Sequence, residues 1–312
     1  MNRILVIGAT GYIGSRISKH LSMLGYEVSI FVRKIPEKKN WNFIKGSVIT
    51  GDVAKRESIH QLRKYNFDIA INLVSLDSND SNKDPNYVAS INLMPTWNIL
   101  EILAERGLKK FIYFSTIHVY GELQRKKIDE DTDLKTTSVY GLTHLLTEKI
   151  CDYYNQTSDI DCVNLRLSNS YGSPAQKDVN CWWLVLNDFS KSAYLNGKIV
   201  IKSDGSPQRD FIHWSDIMHA LELVIKHKKY SVYNLASGET FTIVELAKIV
   251  KEEYYRRYNK FLDIVILKEK NHTTELNRYN FSTKRLKDIG FIKKTSVNDG
   301  INELFSYMEK SF

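Results

Sequence analysis

Through the first half of the chain, short apolar runs are separated by longer amphipathic stretches, and that alternation predicts strands and helices in turn. Residues 3–8 read as a buried strand, 12–25 as a helix stopped by glycine, and 27–32 as a second strand. Residues 67–74 and 111–115 read as further strands, with one helix over 86–106 between them and Gly107 as its C-cap. A helix over 139–154 and a strand over 162–167 complete the series. This order predicts an α/β fold: a Rossmann-type, doubly wound parallel sheet covered on both faces. After about Asn169 the rhythm changes, the loops lengthen, and only helices over 216–226 and 243–255 stand out. The expected division is a dinucleotide-binding Rossmann domain over 1–168. A smaller C-terminal, substrate-binding lobe covers 169–312, and some of its segments return to the first domain.

Composition narrows the possibilities. The chain has 312 residues, 43% hydrophobic and 26% charged, as in soluble globular proteins. No apolar run is long enough to cross a bilayer, and the apolar start is too short for a secretory leader. Cys151, Cys162 and Cys181 show no paired spacing, so neither a disulfide framework nor a metal site is expected, and a cytoplasmic location is. The net charge of +8 comes from scattered Lys and Arg, without a block of five. That argues against nucleic-acid and membrane partners and suits a small anionic ligand.

The candidate chemistry begins at Gly8, Gly11 and Gly14, which follow the first strand and open the first helix. The first glycine permits the tight turn, the second lets backbone approach a pyrophosphate, and the third lets helix and strand pack closely. With Thr10, Tyr12 and Ile13 between them, these residues form a candidate dinucleotide site, where the helix N-terminus offers N–H groups to phosphate. The second strand ends at Arg33-Lys34, where NAD-binding units place a carboxylate for the ribose 2′-hydroxyl. Two cations there favour NADP, with NAD as the alternative. Asp52, followed by Val53, is placed to reach the adenine edge.

The glycine turn is followed by a series of ordered motifs: Gly51-Asp52-Val53, Asp84-Pro85, Phe114-Ser115-Thr116-Ile117-His118-Val119-Tyr120-Gly121, Ser138-Val139-Tyr140-Gly141, Leu165-Arg166-Leu167-Ser168-Asn169, and Gln208-Arg209-Asp210-Phe211. In these the chain resembles, over nearly its whole length, the extended short-chain dehydrogenase/reductase family of NAD(P)-dependent sugar-nucleotide epimerases, dehydratases and reductases. The resemblance implies that Tyr140 exchanges the proton of a sugar hydroxyl or ketone while a nicotinamide exchanges the hydride. It implies that Thr116 hydrogen-bonds the reacting oxygen, that Asn169 meets the substrate diphosphate, and that Arg209 holds the nucleotide end. It also implies a homodimer through two helices of the Rossmann half. The family's lysine, four residues after the tyrosine, is replaced by His144. Imidazole can still bond a ribose hydroxyl, and it adds charge only if it stays protonated. His118 stands where related enzymes carry an acid/base group. It is either a proton shuttle or a pocket wall, and with Ile117 it replaces the dehydratase carboxylates. Arg166 reads as structural. Of Trp182 and Trp183, at least one belongs to the core, and the family's late arginine has Lys270 or Arg278 as its candidate counterpart.

The first functional expectation is therefore an NADP-dependent reductase of a nucleotide-linked 4-keto sugar. An NAD-dependent nucleotide-sugar epimerase, in carbohydrate biosynthesis, is the second. A non-catalytic NAD(P)-binding regulatory protein is the third.

Overall fold

A computed structural model describes residues 2–35, 40–78, 80–82, 84–122, 127–268 and 278–312. The chain opens with β1 (Arg3–Ile7), α1 (Tyr12–Met23), β2 (Glu27–Val32), β3 (Val48–Thr50), α2 (Arg56–His60), β4 (Ile69–Asn72), α3 (Pro85–Asn92), α4 (Met94–Ala104) and β5 (Lys110–Thr116). It continues through β6 (Lys127–Ile128), α5 (Val139–Thr157), β7 (Asp161–Leu167), β8 (Asn169–Tyr171), α6 (Val185–Asn196), β9 (Lys198–Ile201), β10 (Gln208–His213), α7 (Trp214–Lys226) and β11 (Val232–Leu235). It ends with β12 (Thr240–Thr242), α8 (Ile243–Tyr258), β13 (Asp263–Ile266), β14 (Asn280–Phe281), α9 (Lys284–Lys287) and α10 (Val297–Ser311).

These elements form two compact units. The first comprises Met1–Leu123, Glu130–Leu167 and Glu222–Asn234. Its seven-stranded sheet has the order β11-β7-β5-β4-β1-β2-β3, and the pairings from β3 through β7 are parallel. Fully apolar strands such as Ile4–Ile7 are buried on both faces, as a sheet covered by helices requires. One core cluster joins Leu5, Ile7 and Phe111 of the strands to Leu100 and Leu103 of α4 and Ile150 of α5. The winding direction reverses at β1, so the crevice beyond the carboxyl ends of β1 and β4 is where ligands bind in sheets of this kind.

The structure adds helices α2, α6 and α10 to those read from the sequence, and two further details differ from that reading. The single helix expected over 86–106 is two helices that break at Leu93 (φ −112°, ψ −60°). Pro95 explains the break, since it has no N–H to continue the helical ladder back to the Ile91 carbonyl. The short edge strand β3 went unread because only one of its three residues is buried. At the other end of α4, Gly107 (φ +74°) closes the helix, and the Leu108 N–H donates to the Leu103 carbonyl.

A buried polar network braces the first unit. The Arg166 guanidinium donates to both oxygens of Glu148 at 2.8–3.2 Å and to the Tyr120 hydroxyl and Glu130 carbonyl. Ser115 donates to the same Glu148. These contacts give Arg166 the structural role expected of it.

The second unit comprises Gln124–Asp129, Ser168–Leu221 and Leu235–Phe312. It holds a three-stranded sheet, β12-β10-β8, and two two-stranded sheets, β13-β9 and β14-β6. Its core packs Leu186 and Phe189 of α6, Leu246 and Val250 of α8, and Ile301 and Phe305 of α10. A capping box at Thr242 and Glu245 starts α8, and Ser296 caps α10. Trp182 packs on Tyr307 and Phe312, whereas Trp183 is 64% exposed, so the adjacent tryptophans face opposite ways.

Candidate functional site

Six parallel strands of the first unit end side by side, and the candidate residues of this unit follow those ends. β1 leads into the glycine turn. Gly8 has φ +85°, a left-handed value that favours glycine. The Gly11 N–H donates to the Gly8 carbonyl at 3.1 Å. A Cβ on Gly14 would lie 2.1 Å from the Gly8 oxygen, so only glycine lets α1 pack this closely on the turn. A Cβ on Gly11 would meet nothing nearer than that oxygen at 3.4 Å, which leaves its outer side open. Gly11 caps α1 without a side chain, and the first turn holds no acidic residue. The turn therefore fits a dinucleotide pyrophosphate. Thr10 is exposed, whereas Tyr12 and Ile13 are buried.

β2 ends at Arg33 and Lys34, both exposed. β3 lies beside it, with the Gly51 N–H donating to the Val32 carbonyl. Asp52 follows, and its carboxylate accepts the Ala54 N–H at 3.0 Å, so this carboxylate shapes its own turn. Val53 is buried in the core.

β5 ends at Thr116, whose hydroxyl accepts the His118 N–H. The Ser138 hydroxyl caps α5 and so fixes its first turn. Tyr140 and His144 lie one turn apart on that helix, with ring centroids 4.6 Å apart and edge-to-face. The exposed His118 meets the other side of Tyr140 at 5.5 Å. Burial raises the Tyr140 pKa above 10.0, a hydrogen bond with Thr116 pulls it back, and the charge of Asp77 raises it further. The phenol is accordingly protonated at neutral pH.

His144 is buried and its two ring nitrogens are both engaged. Nδ1 lies 2.7 Å from the Tyr113 hydroxyl, and Nε2 lies 3.0 Å from the Ser75 hydroxyl. Desolvation, followed by the charge of His118, lowers its pKa to about 3. Where the resemblance places an ammonium, this chain holds a neutral imidazole. Tyr113 and Ser75 escaped the sequence reading, because they stand 31 and 69 residues away from His144 along the chain.

In the second unit, the Asn169 amide donates to the Asp210 carbonyl at 2.9 Å. Arg209 is exposed, donates to the Gln208 carbonyl, and lies close enough to Tyr279 to lower its phenol pKa against the effect of burial. Arg278 pairs with Glu245. Lys270 lies outside the described residues. Among the described residues no cluster could hold a metal ion, and no helix is long and apolar enough to cross a membrane.

A glycine turn at β1 that fits a dinucleotide, a threonine at the end of β5 and a tyrosine in the first turn of α5 define an α/β enzyme of the epimerase/dehydratase class. Residues 4–236 match the NAD dependent epimerase/dehydratase family, and the chain belongs to that family. It is 26% identical to the "Putative UDP-glucose 4-epimerase" of Methanocaldococcus jannaschii, over 99% of both chains. It is 24% identical to the dTDP-D-glucose 4,6-dehydratase of Mus musculus, over 99% of this chain and 89% of the other. The fold matches that of the Thermotoga maritima UDP-glucose 4-epimerase with UDP-glucose, at a TM-score of 0.85 and 23% identity over 99% of both chains. It also matches MoeE5 in complex with UDP-glucuronic acid and NAD, at a TM-score of 0.80 and 20% identity over 99% of this chain and 100% of the other.

Proposed function

We propose that this protein is an NAD(P)-dependent epimerase acting on a nucleotide-linked sugar. The observation that carries the reading is the Tyr140 phenol of α5, which bonds Thr116 at the end of β5 and meets the His118 ring, in the unit whose β1 leads into the glycine turn. The dinucleotide, held at Gly8, Gly11 and Gly14, supplies a nicotinamide that takes and returns a hydride. Tyr140 Oη exchanges the proton of the sugar hydroxyl, and Thr116 Oγ1 holds the same oxygen in place. His118 stands next to Tyr140 and is the second group able to move a proton there. Asn169 and Arg209 are assigned to the nucleotide diphosphate, for which a guanidinium fork is suited. The similar epimerases support this reading. Ile117 and His118, in place of two carboxylates, speak against a 4,6-dehydratase.

Two observations favour an NADPH-dependent reductase of a 4-keto sugar as the second reading. Arg33 and Lys34 stand where NAD enzymes place a carboxylate. A protonated Tyr140 is also ready to give a proton to a forming alkoxide, the direction that reduction requires. Incubation with UDP- and dTDP-sugars, and separately with their 4-keto derivatives plus NADPH, followed at 340 nm and by product analysis, separates the two. An epimerised product without net absorbance change supports the epimerase, and stoichiometric loss of NADPH supports the reductase. A cofactor-binding protein that converts no sugar nucleotide refutes both and leaves the regulatory reading.

Apolar side chains exposed on α4 (Met94, Trp97) and α5 (Leu142, Leu146, Tyr153) support a homodimer through these helices. A solution mass near 36.2 kDa, that of one chain, refutes it.

A further inference from the structure

The hydroxyl of Ser75 has one proton and two lone pairs. The proton goes to the Leu76 carbonyl at 2.8 Å. With its proton committed, Ser75 accepts from His144 Nε2, which therefore carries the ring hydrogen. Nδ1 then accepts from the Tyr113 hydroxyl, itself fully buried. A chain of hydrogen bonds thus runs from Tyr113 through His144 and Ser75 to the backbone, with one lone pair of Ser75 left over. Ser75 is half-buried just past the end of β4. Its neighbours Leu73 and Val74 lie against Gly8, at 3.2–3.3 Å from the place a Cβ would take. The loop is anchored from behind by Asn92, which accepts the Leu76 N–H at 2.7 Å and donates to Thr143. The Ser75 oxygen is therefore a fixed acceptor between the glycine turn and Tyr140.

We infer that Ser75 is a dinucleotide-binding residue held by His144 as its positioning residue, so that a neutral hydroxyl accepts a ribose hydroxyl where a lysine would donate to one. The inference rests on the dinucleotide site proposed above. It gives His144 a task that needs no charge. It also gives Tyr113 one, since the Tyr113 proton selects the tautomer of His144 that points a hydrogen at Ser75.

Two measurements on the full chain test this. The first is the 15N spectrum of His144 in ligand-free protein. The expected signal is a neutral, Nε2-protonated ring from pH 5 to pH 8. An Nδ1-protonated ring, or an imidazolium at pH 7, overturns the inference. The second is the dissociation constant for NADH and NADPH by fluorescence titration. Ser75→Ala is expected to weaken binding roughly fivefold or more, as the loss of one well-placed hydrogen bond does. His144→Gln, whose amide can still donate to Ser75, is expected to stay within about twofold of wild type, and His144→Leu to match Ser75→Ala. If His144→Leu does not fold, Ser75→Ala and His144→Gln decide the question. Unchanged affinity in Ser75→Ala overturns the role of Ser75 while the dinucleotide site stands. Failure of the wild type to bind either dinucleotide overturns the site itself, and the inference with it.

Discussion

Because His144 is neutral inside the first unit, acid should unfold this protein through it. The ring has its folded-state pKa lowered to about 3, against 6.5 for a free imidazole, and the first cause is burial. A depressed pKa means that the stabilising contribution is fully present above the unfolded value. It is lost as pH falls from 6.5 towards the folded value, because only the unfolded chain takes up the proton in that window. At pH 7.5 the effect is negligible. At pH 5.0, one and a half units below the unfolded pKa, it amounts to about 2 kcal/mol at about 1.4 kcal/mol per unit. Among the described residues in contact with the ring, Tyr113, Tyr140 and Ser75 bring no negative charge at that pH, and the charge of His118 acts in the same direction as burial. The perturbation is His144→Gln, which keeps a donor and an acceptor but does not titrate. Urea unfolding of both proteins at pH 7.5 and pH 5.0 measures the difference. The wild type should lose about 2 kcal/mol more than the variant between the two pH values. Equal losses would refute a buried, neutral His144, and with it the hydrogen-bond chain from Tyr113 to Ser75.

Three further outcomes are expected. Because Tyr140 titrates above 10.0, an epimerase that first needs the phenolate should speed up about tenfold per pH unit between pH 6 and pH 9, until the chemical step ceases to limit, whereas a reductase that needs the phenol should not. A rate that falls across this range contradicts both directions of proton transfer through Tyr140. Replacing Arg33 and Lys34 together with alanine should weaken NADPH binding about tenfold or more and leave NADH binding unchanged, as isothermal titration reads it. Equal effects on the two cofactors remove the support for NADP. Gly14→Ala should lower stability by about 1–3 kcal/mol in urea, because its Cβ must displace the Gly8 carbonyl. A neutral effect would mean that the helix and turn are not packed as described.

Parts of this molecule were legible in the sequence because they depend on neighbours in the chain. Gly8, by its left-handed backbone, and Gly14, by its close packing, hold positions that only glycine fits, so with Gly11 three letters marked the candidate dinucleotide turn between β1 and α1. The apolar runs of β1, β2 and β4 read clearly because those strands are covered on both faces. β3 did not, because it is three residues long at the sheet edge, and the pattern of one buried residue between two exposed ones carries little signal. Pro95 could have announced the break between α3 and α4, but the apolar periodicity continues across it. Val53 shows the limit of a motif, since it lies in a functional string and yet its side chain belongs to the core.

His144 shows a different limit. The sequence gives the residue type and its place one turn after Tyr140, and these leave open whether it carries a charge. Charge is decided by burial and by partners, and the partners come from β5 and from the loop after β4. Tyr113 lies on a buried strand, where a phenol would be costly without an acceptor. His144 Nδ1 is that acceptor, so the tyrosine explains the histidine as much as the histidine explains the tyrosine. A lysine at 144 would bring a positive charge into this buried position, where burial penalises the charged form. Since one change of residue alters both the charge at Tyr140 and the donor available to Ser75, the two effects of His144 belong to a single exchange: a charged side chain that acts directly is replaced by a neutral one that acts through its neighbours.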